Sequence, residues 1–279
     1  MKPLLTFEPI STNFCPSLQL GSYSTPLNEH TMTPLILTSV ADMQKLITDT
    51  IIDVRAPAEY AEDHLPGAIN LPVLSDAERD KVGTIYKQAS PFDARKIGGA
   101  LVAHNIATHL QGALADKYGA WQPLIYCWRG GQRSSAFATI LDQVGWRVKL
   151  LQGGYQSYRR EIVQMLYKTP LPHRLMLISV STGTAMSALL HQLVAKGAQG
   201  LDLEEIASHR GSLFGGIGTS QPSQKMFETI IASRLATLDP NKITFVEAES
   251  SKVGERLIPP SLWSSMTNAS HIEITACLL

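Results

Sequence analysis

Short apolar runs alternate along this chain with stretches whose apolar positions recur at helical spacing. Thr38 to Leu46 reads as a short helix, and TIIDVR (50–55) as a buried strand running into a polar loop. PLIYCW (123–128) is a second such strand. It is followed by RGGQRS and then by SAFATILDQVG (135–145), whose helical period stops at a glycine. WRVKLLQGG adds a strand and a Gly-Gly turn, and YQSYRREIVQMLY a basic helix. Pro170 and Pro172 punctuate the chain, after which the pattern starts again. LMLISV (175–180) is a strand, STGT a turn, MSALLHQLVAKG (186–197) a helix, 223–238 a further helix, and ITFVEAE (243–249) a strand with acids at its carboxyl end. The tail HIEITACLL reads as one more strand. Strand, turn and helix in alternation predict α/β units around parallel sheets. Residues 1–36, rich in Ser, Thr, Pro and Asn and without a sustained period, predict an irregular leader. The two units then occupy 37–168 and 169–279, the second short enough to be incomplete, because its last strand lacks a following crossover.

Composition narrows the class. A chain of 279 residues with 44% apolar positions can bury two cores, and disordered or fibrous classes are excluded. Lys plus Arg total 24, as do Asp plus Glu, so no global attraction to nucleic acid or to an anionic membrane is predicted. The three cysteines, Cys15, Cys127 and Cys277, share no spacing that suggests a zinc site or a disulfide framework. No apolar run approaches the roughly 20 residues a membrane span needs, and the amino terminus is a poor signal peptide. A soluble, cytoplasmic protein without a membrane partner is expected.

The sharpest local chemistry is Cys127-Trp128-Arg129-Gly130-Gly131-Gln132-Arg133-Ser134, set between a strand and a helix. Glycine-rich backbone curling under a sulfur at a helix amino terminus offers it several N–H donors. Arg129 and Arg133 add positive charge, which favours a thiolate or a sulfur-bound anion. The competing readings are a core cysteine, since free Cys is among the most buried residue types, and a phosphatase loop of similar size, for which spacing reveals no general-acid Asp.

DVRAPAEYAEDHLPGAINLP (53–72) resembles rhodanese-like sulfurtransferase domains, in which Asp53 and Arg55 would brace the domain. RDKVGTIYKQASPFDARKIGGALV, YCWRGGQRSSAF and LQGGYQSYRR, in that order, resemble the tRNA 2-selenouridine synthases, which join a rhodanese domain to a P-loop domain. GLDLEEIASHRGSLFGGIG, QPSQKMFE and VEAESSKVGERLIPPSLW extend the likeness to about residue 275. The resemblance implies a rhodanese-like parallel-sheet domain followed by a P-loop NTPase-like α/β domain, with Cys127 as the catalytic cysteine. It implies replacement of sulfur by selenium in wobble 2-thiouridine of tRNA, with selenophosphate and geranyl diphosphate as substrates, through a geranylated thiouridine. A selenophosphate synthase is the implied partner. A generic sulfurtransferase and a tRNA-binding protein without synthase activity are the alternatives.

The second half departs from the family's pattern. Where the family has a phosphate loop ending Gly-Lys-Thr, this chain has Thr182-Gly183-Thr184-Ala185-Met186-Ser187. Met186 supplies no charge, so only Gly183 and the Ser187 hydroxyl keep phosphate or metal potential, and diphosphate binding is weakened. His209 and Arg210 precede a Gly/Ser loop and are candidates for phosphate or base contact, as are Gln221, Ser223 and Gln224; helix capping explains Ser223 almost as well. Glu247 and Glu249 are candidates for Mg²⁺, with a solvated strand end as the equal alternative. Residues 121–170 hold seven basic side chains, Arg159 among them, against Asp142 and Glu161, which suits a phosphate backbone. Tyr155 and Tyr158 are as readily packing residues as stacking platforms.

Overall fold

A computed structural model of the protein describes residues 32–180, 186–209, 220–247 and 250–274. The first unit runs β1 (Thr33–Leu35), a 3₁₀ turn (Val40–Lys45), β2 (Thr50–Asp53), α1 (Pro57–Glu62), β3 (Ala68–Asn70), α2 (Asp76–Gln88), α3 (Pro91–Gln111), β4 (Pro123–Tyr126), α4 (Gln132–Val144), β5 (Lys149–Leu151) and α5 (Gly154–Val163). Its sheet has the order β1-β5-β4-β2-β3, every pairing parallel. The sheet begins inside the stretch assigned to the leader: Thr33, Pro34 and Leu35 pair with Lys149, Leu150 and Leu151. A proline is tolerated there because β1 is the edge strand and one face of its backbone needs no donor.

Helices α2 and α3 form a hairpin, and their starts are written in the sequence. Ser75 accepts from the Glu78 N–H while Glu78 reaches back to Ser75, and Ser90 caps a helix whose first residue is Pro91. A π-type turn (Gln164–Lys168) extends α5 to the proline-marked connection.

The second unit contains β6 (Arg174–Val180), α6 (Met186–Ala195), β7 (Gln199–Leu201), α7 (Leu203–Ala207), α8 (Gln224–Thr237), β8 (Ile243–Glu247), the short hairpin β9 (Lys252–Val253) and β10 (Arg256–Leu257), α9 (Pro260–Thr267) and β11 (Ser270–Ile274). Its sheet order is β11-β6-β8-β7, again parallel. The tail strand therefore pairs with β6, reached through α9.

Strand alternation divides the first unit's core and explains how the units join. Ile125 and Cys127 face Phe137, Leu141 and Ile106, on the α3 and α4 side. Leu124 and Tyr126 face the other way, into a cluster that continues through Tyr155 and Tyr158 to Phe227, Ile231, Val246 and Leu262 of the second unit. Polar contacts reinforce that seam. Buried Asp63 accepts from the Tyr155 hydroxyl at 2.6 Å and from Thr229 of α8 at 2.9 Å. Arg159 pairs with Glu228, whose other oxygen accepts from Tyr167 at 2.6 Å. No helix among the described residues is long and apolar enough to cross a membrane.

Candidate active site

All four residues of β4 are buried, between β2 and β5, and the chain leaves it into the loop that carries Cys127. Cys127 is 3% exposed. Its sulfur accepts from the Gly131 N–H at 3.3 Å and from the Ser134 hydroxyl at 3.0 Å. Burial pushes the thiol up, but the Ser134 hydroxyl and the N–H groups of Ser134, Gly131 and Arg129 outweigh it, and the net displacement is downward. The sulfur is thus held at a helix start and displaced toward the thiolate.

The LQGGY stretch holds that loop from beneath. Gly154 sits at φ +57, and a Cβ there would lie 2.3 Å from the Cys127 carbonyl oxygen and 2.6 Å from the Gly130 nitrogen. Only glycine permits this approach. The N–H groups of Tyr155 and Gln156, at the start of α5, donate to the carbonyls of Cys127 (2.8 Å) and Trp128 (3.0 Å). Two loops distant in sequence thus interlock through backbone hydrogen bonds, with the Trp128 and Tyr155 rings packed 5.3 Å apart between their centroids.

Asp53 and Arg55 form a buried bidentate pair, with Nη2 of Arg55 at 2.6 Å from Asp53 Oδ2 and also 2.6 Å from the Asp63 carbonyl. The guanidinium lies over the Tyr155 ring, 4.1 Å from its centroid. Burial alone would lower the Arg55 pKa, and the Asp53 carboxylate more than compensates. This pair spans β2, the end of α1 and the start of α5, three elements around the cysteine loop. Arg129 is exposed. Arg133 pairs with Glu59 at 3.0 Å, and Arg79 reaches the same Glu59 oxygen at 3.1 Å. Arg133 is therefore engaged by a carboxylate, and the charge that faces the sulfur comes from N–H and hydroxyl donors.

In the second unit Glu247 ends β8 and is 1% exposed. Its oxygens accept from the N–H groups of Leu203 (3.0 Å) and Glu204 (3.3 Å). Burial, and the adjoining Asp202 carboxyl, push it up to about 9. A solvated strand end is thus excluded for Glu247. Ser187, at the start of α6, donates to Glu204 at 3.1 Å. Ser187, Glu204 and Glu247 carry hard oxygen atoms of the class Mg²⁺ takes, Ser187 bonded to Glu204 and the Glu204 N–H to Glu247, and the chemistry fits that ion because a divalent cation would relieve the repulsion between Glu247 and Asp202. His191, Asp202 and Glu205 also place one ligand atom each within 4.8 Å of one another, a grouping sequence spacing did not suggest. Gly183, Arg210 and Glu249 lie outside the described residues.

Several candidates for nucleotide contact are occupied inside the fold. The Gln221 amide donates to the carbonyls of Ala207 (3.0 Å) and Val253 (3.1 Å) and accepts from the Glu255 N–H (2.8 Å). Gln224 binds the backbone of Leu257 through both of its amide ends. Both glutamines spend these bonds on fastening the β9–β10 hairpin. Ser223 caps α8 by accepting from Met226 at 3.0 Å. His209 is half-buried and packs where a Cβ on Gly254 would fall. Tyr155 and Tyr158 are 2% and 0% exposed, so they pack and do not stack bases. Arg159 is spent on Glu228 and the Lys225 carbonyl.

Comparison with known proteins adds the following. The family model for the rhodanese-like domain matches residues 38–161, and that for the tRNA 2-selenouridine synthase AAA domain matches residues 173–278. A tRNA 2-selenouridine synthase of Nitrosomonas europaea is 36% identical over 231 residues, covering 81% of this chain and 60% of the relative. One from Shewanella denitrificans is 34% identical, covering 80% and 60%, and one from Psychromonas ingrahamii is 33% identical, covering 82% and 62%. The chain spans about 60% of the length of these relatives.

Proposed function

The chain is closely related to the tRNA 2-selenouridine synthases, a rhodanese-like domain followed by their AAA domain, and from that premise we propose that it exchanges sulfur for selenium in tRNA. The substrate is the wobble 2-thiouridine, selenophosphate supplies the selenium, and the exchange passes through a geranylated thiouridine formed from geranyl diphosphate. The observation that carries this reading is the buried Cys127 sulfur held by Ser134 and Gly131 and poised toward the thiolate. Cys127 handles the selenium, and the loop donors stabilise anionic charge on the chalcogen in a site shielded from water. Asp53 and Arg55 hold the loop's surroundings; Arg129 and Arg133 raise the local potential without touching the sulfur. Ser187, with Gly183, His209 and Arg210, belongs to the candidate diphosphate side. When bound there, Mg²⁺ would supply charge neutralisation for a diphosphate, and Ser187, Glu204 and Glu247 would hold it.

The test is incubation of the protein with 2-thiouridine tRNA, geranyl diphosphate and selenophosphate, with the modified nucleoside followed by mass spectrometry. Selenouridine with wild type and none with Cys127→Ala is the expected result. Product unchanged by C127A removes the cysteine from the chemistry. Transfer from thiosulfate without any tRNA requirement assigns the chain to the generic sulfurtransferases. Tight tRNA binding without either product makes it a binding protein. Restoring lysine with Met186→Lys tests the altered loop directly, and unchanged diphosphate affinity would clear that loop of blame.

A further inference from the structure

The motif spanning Arg79 to Val102 forms most of α2 and α3, and no part of the proposed chemistry uses it. With the start of α4, this hairpin walls an open groove of about 1200 Å³. Small-molecule pockets run to roughly 300–1,000 Å³, so the groove suits a segment of a larger partner. Leu74, Val82 and Val102 contribute apolar surface to it, and Gln132 and Arg133 border it from the cysteine loop side. Four cations line it, Arg79, Lys87, Arg95 and Arg133, against a single acid, Asp80. Arg79 and Arg133 share Glu59, whereas Lys87 and Arg95 are exposed and form no ion pair among the described residues. Tyr86, also on the wall, is 56% exposed, and Phe92 at the hairpin turn is 68% exposed.

Excess positive charge with an exposed aromatic ring is the combination that binds unpaired nucleic acid, the cations tracking phosphates and the ring stacking a base. We propose that the α2–α3 groove docks the single-stranded anticodon loop of the tRNA substrate, with Lys87 and Arg95 on phosphates and Tyr86 under a base. The assignment rests on the reading of the chain as a tRNA-modifying enzyme. It shifts the RNA surface from Arg159 and the two tyrosines, which are consumed internally, to a wall that ends at Gln132 and Arg133, close to Cys127 in sequence.

Binding of a fluorescent anticodon stem–loop RNA to the full chain, measured across a salt series, tests it. Lys87→Glu with Arg95→Glu should weaken binding about tenfold or more, and lower the salt slope by about 1.4 if two phosphate contacts at about 0.7 each are lost. Tyr86→Ala should cost about tenfold through lost stacking, and its exposed ring makes it a second probe that leaves the core alone. Lys196→Glu with Lys242→Glu, exposed charges on the second unit, should bind as wild type. Wild-type binding that survives both groove variants overturns the groove and leaves the proposed function standing. Absence of RNA binding by wild type overturns the proposed function and the groove with it. Loss of geranyl diphosphate binding in K87E/R95E with RNA binding intact makes the groove an isoprenoid diphosphate site and overturns the proposal.

Discussion

Cys127 and Glu247 occupy equivalent places in the two sheets. Each lies at the carboxyl end of an inner parallel strand, β4 or β8, each is buried, and each receives backbone N–H groups. Their ionisation is displaced in opposite senses: the thiol moves toward its anion and the carboxyl toward its neutral acid. Burial opposes charge at both. What differs is the neighbour. Beside the sulfur, N–H and hydroxyl donors of Gly131 and Ser134 outweigh the one carbonyl it approaches, that of Gly131, whereas Glu247 faces the Asp202 carboxyl, and like charges in one site cannot both ionise cheaply. A strand end in a parallel sheet thus provides N–H groups and burial by default, and one additional side chain decides whether the site is ready for anionic chemistry or demands a proton or a cation.

The strongest way to break this contrast is Gly154→Ala. An alanine at φ +57 is strained, and its Cβ would sit 2.3 Å from the Cys127 carbonyl oxygen. The β5–α5 turn must then move away from the cysteine loop, scattering the donors around the sulfur. Destabilisation of about 3 kcal/mol or more is expected in denaturant unfolding, with loss of thiol reactivity at neutral pH. A variant that melts like wild type and reacts like it would show that the interlocked loops do not set the sulfur's environment.

Ser134→Ala is milder and more selective. A hydrogen bond to a charged group is worth about 1.5–3 kcal/mol, and one pKa unit about 1.4. The Cys127 thiol should therefore rise by roughly one to two units, read from the pH dependence of its alkylation. Selenouridine formation should fall most below the new thiol pKa. An unchanged alkylation profile would transfer the effect to the backbone N–H groups alone.

On the seam, Thr229→Val removes one of two hydrogen bonds to buried Asp63 Oδ2, and Asp63 Oδ1 has no hydrogen-bond partner among the described residues. Burial raises the Asp63 carboxyl, with Tyr155, Thr229 and Arg159 pulling it back. Losing the threonine should cost about 1–3 kcal/mol and raise the Asp63 pKa further. The same stability in both proteins would show that the seam is held by its apolar cluster and not by this carboxylate.

Much of this was legible in the sequence for physical reasons that name themselves. β-branched runs bounded by polar turns marked β2, β4, β6 and β8, and the glycines between β4 and α4 announced a backbone approaching a sulfur. Helices α2 and α3 escaped the periodic pattern: α2 is polar and buries no residue fully, and α3 buries only Ala94, Gly98 and Ile106 and shows no apolar stripe. Their capping residues, Ser75 with Glu78 and Ser90 before Pro91, were the available signal. The fates of Arg159, Gln221 and Tyr155 were hidden for a different reason. A polar or aromatic side chain near a site in sequence offers the same chemistry to a ligand and to the protein, and only the packing of α8 and the β9–β10 hairpin decided for the protein. Arg133 shows the same ambiguity, since nothing in the loop's own sequence reveals Glu59, seventy-four residues away.

The smallest effect is the one that isolates the neighbour. Asp202→Asn keeps the α7 cap, in which Asp202 Oδ1 accepts from the Glu205 N–H at 2.7 Å, and replaces the repelling carboxyl beside Glu247 with an amide that can donate. In wild type Glu247 holds its proton up to about 9 when folded but only to its ordinary value near 4.5 when unfolded. Between those pH values the folded state binds more protons, so stability is full below the lower value and declines as pH rises toward the upper one. D202N should bring the Glu247 pKa down and flatten that decline. Added Mg²⁺ should flatten it in wild type too, by favouring the carboxylate, and should do so less in the variant, where less repulsion is left to neutralise. Urea unfolding at several pH values, with and without Mg²⁺, reads all four slopes. Equal slopes in wild type and D202N would mean that burial alone displaces Glu247, and the difference between the two strand ends would then lie in the depth of the site and not in the residue beside it.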